Sequence, residues 1–216
     1  MKLDITFLVD ATKKPVDELN AEKEFVKLVV DNTGLGQDGV HVSVVSFGES
    51  TIVDVTLGET LKIRDFDKKV NEIDMQDSPK TRIDEALAVV GEKIFKGEKD
   101  RADAINMVVL ITDGVQTDAP GAKDPSDVAE QLRKQGVMMV TVGVTEDISK
   151  PELNKISGDP SNVFVIKKYK ELRNEAVVSL VATKICEKRK YLIISHSSSC
   201  IRFNHSQTFA ICGVLL

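Results

Sequence analysis

A few side chains stand where an alternating strand-and-helix chain would gather them. FLVDATKK places Asp10, Thr12 and Lys14 directly after a short β-branched run. LITDG places Asp113 after the most apolar run in the chain, and SPKTRIDEAL places Thr81 just ahead of a helical pattern. Two aspartates brought side by side repel unless a cation lies between them. The Thr12 and Thr81 hydroxyls add neutral oxygens. Such hard oxygen donors suit a small divalent cation, Mg²⁺ first, with Ca²⁺ or Mn²⁺ behind it. Each signal alone is ordinary, because an aspartate after a strand is a common turn or cap residue. The combination is more specific, since all three loops fall at one end of one sheet.

The elements that must position these residues are legible from periodicity. Apolar or alternating runs predict strands over Leu3–Val9, Val40–Phe47, Thr51–Leu57, Ile105–Thr112, Val137–Val144 and Val163–Ile166. Gly48-Glu49-Ser50 is short enough to make the second and third strands an antiparallel hairpin. Helical spacing predicts helices over Pro15–Asp31, Leu61–Ile73, Ile83–Phe95, Ser126–Gln135, Pro151–Ser157 and Tyr169–Cys186, with Ser126 as an N-cap. Strands separated by helices require crossovers. The expected fold is therefore a doubly wound α/β domain. It has a mostly parallel six-stranded sheet, one antiparallel strand and helices on both faces. Ligands of such sheets bind beyond the carboxyl ends of the strands, where strand order reverses.

Composition narrows the function. With 29 Lys+Arg against 34 Asp+Glu, the net charge of −5 argues against a general nucleic-acid binder. No apolar run approaches the ~20 residues of a membrane helix, so no membrane insertion is expected. No basic, apolar and small-residue leader is visible. The chain is read as cytosolic or as a piece of a longer secreted protein. Residues 191–216 hold one charged residue, Arg202, so the domain is drawn over 1–188 and 189–216 is set apart as a tail foreign to it. GLGQDG follows a helix and precedes a strand, the reverse of a dinucleotide loop. No histidine falls in the strand-end loops, which argues against a hydrolase triad. Cys186, Cys200 and Cys212 form an odd set that is either bridged in part or simply buried.

LDITFLVDAT, VSVVSFG with its hairpin, KTRIDEAL, MVVLITDG, GVMMVTVGV and NVFVIKKYKEL, in this order, resemble the von Willebrand factor type A domain over about residues 3–186. Members of that family carry a metal-ion-dependent adhesion site (MIDAS). Its first loop reads Asp-x-Ser-x-Ser, its second gives a Thr and its third an Asp. The resemblance maps these onto Asp10, Thr12, Thr81 and Asp113. It implies a non-enzymatic module of adhesion or matrix assembly that binds an acidic group of an extracellular partner, such as a matrix component, through the cation. It also implies a secreted parent of collagen or matrilin type. Rim candidates are Ala11, Lys13, Gln116, Thr117 and the 77–80 loop. Relatives often bridge a cysteine at the end of the last helix to one before the first strand, and this sequence has no early cysteine.

Lys14 departs from the pattern. It stands at the second serine position and cannot accept or coordinate. Its ammonium either replaces the cation between the carboxylates or swings into solvent and leaves a weakened site. In the second case Mg²⁺ raises the melting temperature slightly, and Lys14→Ser enlarges the rise. Two rivals remain: a degenerate scaffold without metal, and a phosphatase-like α/β enzyme. Enzymes of the dehalogenase-like type place a second aspartate two residues after the first, where this chain has Thr12.

Overall fold

The structure is a computed structural model that describes residues 2–146 and 148–196, with side chains to residue 187. β1 (Lys2–Asp10) is β-branched and aromatic and is buried along almost its whole length. It lies mid-sheet, parallel to both β2 (Val40–Phe47) and β4 (Ala104–Thr112). β3 (Thr51–Val55) pairs antiparallel with β2. β5 (Met138–Val144) and β6 (Val163–Ile166) extend the other side in parallel. The strand order β3-β2-β1-β4-β5-β6 reverses between β1 and β4. That crevice receives the loop after Asp10 and the loop after Thr112.

The helices are α1 (Val16–Thr33), α2 (Ile63–Asn71), α3 (Ile83–Val89), α4 (Pro125–Lys134), α5 (Lys150–Ser157) and α6 (Glu175–His196). Strand alternation divides the core in two. Ile5, Phe7, Val9, Val109 and Ile111 pack with Phe25 and Val29 of α1 and Val181 and Ile185 of α6. Leu8, Val45, Val108 and Leu110 pack with Leu87 of α3 and Ala129 and Leu132 of α4. Each such side chain, fully buried, contributes roughly 1.5–3 kcal/mol of transfer free energy. Layers on both faces hold the central strand ends, and so the loops on them, in fixed relation.

The sheet is as the sequence predicts, and three helices differ. The Ile83–Phe95 segment is α-helical only to Val89 and continues as a π turn over Val90–Ile94. It passes Gly91, where a Cβ would stand 2.7 Å from Leu132 Cδ2, so any side chain there would have to displace the Leu132 methyl on α4. The cap of α4 is Asp124, whose carboxylate accepts from the Ser126 amide, with Pro125 in the first turn. A preorganised proline at that position displaces the start upstream of Ser126. Tyr169–Arg173 is a separate 3₁₀ turn, and α6 begins after Asn174, which accepts from the Ala176 amide. The division expected at 188 falls within α6, and most of the expected tail, 197–216, lies outside the described residues.

Candidate functional site

Asp10 ends β1, and Asp113 follows the last residue of β4, so adjacent strands deliver the two carboxylates to one place. Asp10 is fully buried. Its Oδ1 accepts from the Thr12 hydroxyl at 2.6 Å and the Thr12 amide at 3.1 Å. Its Oδ2 accepts from Thr112 Oγ1 at 2.8 Å. Thr12 thus serves Asp10 directly. Thr81 is joined to the third loop: its amide donates to Thr117 Oγ1, and its carbonyl accepts from the Thr117 amide. Its hydroxyl lies 3.4 Å from where a Cβ on Gly114 would stand. The four residues expected to converge are therefore delivered to the same end of the sheet.

Lys14 lies in their midst. Its ammonium is 3.5 Å from Asp10 Oδ1 and 3.5 Å from Asp113 Oδ1. It donates to Glu22 Oε1 at 3.0 Å and to the Tyr169 hydroxyl at 3.2 Å. The side chain is 4% exposed. Burial alone would lower the Lys14 pKa, but Glu22, Asp10 and Asp113 together outweigh it and hold the pKa above its ordinary value. Lys14 is thus a cation throughout the physiological range. Burial pushes the Glu22 carboxyl up to about 8, against the pull of Lys14. Burial, followed by the charges of Glu22 and Asp113, also raises the Tyr169 phenol.

Glu22 and Tyr169 escape a reading of the sequence by strand ends, since both come from outside those loops. Glu22 does leave a signal. It falls on the buried stripe of α1 with Leu19, Phe25, Val26 and Val29, where a glutamate must have a partner. Its other oxygen, Oε2, accepts from the Asp10 amide at 3.1 Å. Tyr169 gives no comparable signal.

The remaining loop contacts fix the surroundings. The Lys13 amide donates to the Ser78 carbonyl, and the Gln76 amide to the Ala11 carbonyl. Asp84, buried at the start of α3, receives Arg82, Gln116 Nε2 and the Lys123 amide. Gln116 is thereby committed to the scaffold. Ala11, expected at the rim, is fully buried instead, because it continues the inward face of β1. Val16, Met75 and Val115 leave the same loops as exposed apolar side chains.

A divalent ion finds oxygen donors of the right type here, but not the space. Mg²⁺ and Ca²⁺ sit about 2.0–2.6 Å from their ligands. An ion bridging Asp10 and Asp113 would overlap the Lys14 nitrogen. With Lys14 in place, the residues do not fit the ion.

Residues 4–176 match the profile of the von Willebrand factor type A domain. The chain belongs to this family. The human collagen alpha-5(VI) chain is 28% identical over 207 residues, which are 92% of this chain and 8% of the collagen. Rat von Willebrand factor is 26% identical over 166 residues, 76% of this chain and 36% of that protein. This type A domain chain thus spans well under half the length of these relatives. Proximal thread matrix protein 1 of the mussel byssus, with its MIDAS motif occupied by zinc, superposes with a TM-score of 0.75 at 24% identity. That match covers 85% of this chain and 46% of the mussel protein, and it establishes the shared fold. Cys186 is disulfide-bonded, and Cys200 and Cys212 lie outside the described residues.

Proposed function

We propose that the chain is a non-enzymatic protein-binding module of cell adhesion or extracellular matrix, acting as part of a longer secreted protein. The observation that carries this is the type A match over residues 4–176, with a collagen VI relative aligned over 92% of the chain. The binding face is the carboxyl end of the sheet, where three loops meet. Exposed Val16, Met75 and Val115 stand in or next to these loops and would supply apolar contact to a matrix protein. The described chemistry supports no hydrolytic reading. His41, the only histidine with a described side chain, pairs in register with Asp4 at the far end of β1 and bonds the Gln37 carbonyl.

The test is solid-phase binding of the chain to matrix extract. Saturable capture is expected, weakened by Val115→Asp without loss of fold. Absence of capture contradicts the module reading. A second reading keeps the ion: a divalent cation on Asp10, Thr12, Thr81 and Asp113 grips a partner carboxylate. The zinc in the mussel protein's site favours it. It requires Lys14 to leave its four partners.

A further inference from the structure

The geometry points to Lys14 as the resident cation of this site, replacing the divalent ion and making the domain's binding face independent of metal. The inference takes the carboxyl-end loops as the binding face and adds what holds their centre together. Three observations converge on it. The ammonium stands equally far, 3.5 Å, from the two aspartates that an ion would bridge. It is held on other sides by Glu22 Oε1 and the Tyr169 hydroxyl. Its side chain is almost wholly withdrawn from solvent, so it is not a surface lysine that happens to pass by.

Glu22 and Tyr169 matter because they come from outside the three loops. Glu22 belongs to α1 and Tyr169 to the 3₁₀ turn before α6. An ammonium has three protons to place, and the fold supplies acceptors for all of them. Glu22 joins the two positions, its Oε2 receiving the Asp10 amide and its Oε1 the Lys14 ammonium. Unlike a metal with an open coordination position, this ammonium offers no free valence to a partner acid. Carboxylates outnumber it, and Asp113, 24% exposed, is the part of the cluster open to solvent. A partner carboxylate is therefore repelled here rather than gripped.

The test is titration of the wild-type chain with Mn²⁺, read by the electron paramagnetic resonance of the free ion, beside Lys14→Ser and Lys14→Ser/Asp113→Asn. Wild type is expected to leave the free-ion signal undiminished at millimolar Mn²⁺. Its melting temperature should be the same in Mg²⁺ and in chelator. Lys14→Ser is expected to take up one equivalent, to melt lower in chelator and to regain several degrees in Mg²⁺. The double variant is expected to lose that uptake. Stoichiometric Mn²⁺ binding by wild type overturns the inference, as does a folded Lys14→Ser that takes up no ion. If Lys14→Ser does not fold, the wild-type titration alone decides. No matrix partner enters these measurements, so they can fail while the capture assay succeeds, and the reverse.

Discussion

β1 carries two fully buried aspartates on one face, Asp4 near its start and Asp10 at its end, and the chain treats them differently. Asp4 meets a single guanidinium. Arg101 Nε and Nη2 donate to Asp4 Oδ1 at 2.8 and 2.6 Å, and the Arg101 amide donates to Oδ2. The spare donors of Arg101 go to the carbonyls of Leu3, Gly39 and Gln37. Charge is matched one to one, and the fork ties loops to backbone, a structural clamp. At the other end, one ammonium faces Asp10, Glu22 and Asp113, with Glu18 nearby, whose pKa burial and Asp113 both raise. A buried aspartate alone therefore marks nothing. At the carboxyl end, by contrast, two aspartates from converging loops share one ammonium.

Removing each cation should break the comparison most visibly. Lys14→Met and Arg101→Met each leave a buried carboxylate unpaired, so each is expected to cost about 3–5 kcal/mol in urea denaturation. Mg²⁺ should restore part of the loss in Lys14→Met, whose acids converge, and none in Arg101→Met. Equal rescue of both, or of neither, would erase the distinction between the two ends.

Asp84 sharpens the comparison, because it is buried at the carboxyl end yet held by a guanidinium, Arg82, which also meets the half-exposed Glu85. Burial alone would raise its pKa, but hydrogen bonds from Arg82, the Lys123 amide and Gln116 hold it at about 2. A depressed folded pKa stabilises above the unfolded value, and that stability is lost as pH falls through the folded one. On the order of 2 kcal/mol should therefore disappear between pH ~4 and ~2. Asp84→Asn is expected to remove that acid-dependent part in a pH series of melting curves, with no response to divalent ions. An unchanged acid limb would show that this pairing does not hold Asp84.

Smaller still is the effect of Lys13→Ala. It breaks an exposed pair with Asp77 at 2.7 Å and should change stability by less than about 1 kcal/mol. A larger loss would mean that loop order depends on that pair as well as on the Lys13 amide bond to Ser78.

Strand ends were the legible part of the site. Apolar, β-branched runs place Asp10 and Asp113 directly after strands, and the loop sequences place Thr12 and Thr81 at the same end; that the two strands are neighbours comes from the sheet order. Helix details were less so. The start of α6 after Asn174 rests on a cap, and the π turn after Val89 is a local change of winding, neither of which apolar spacing reports. Lys14 illustrates the remaining gap. Its identity showed that it could not coordinate, while its direction was set by Glu22 and Tyr169, from segments that local pattern does not link to position 14.

The most direct test of the lysine's place is an anomalous-scattering map from crystals of the wild-type chain grown in millimolar Mn²⁺. Expected are continuous density for Lys14 ending between Asp10 and Asp113 and no anomalous peak there. A manganese peak bonded to both aspartates, with Lys14 turned into solvent, would contradict it.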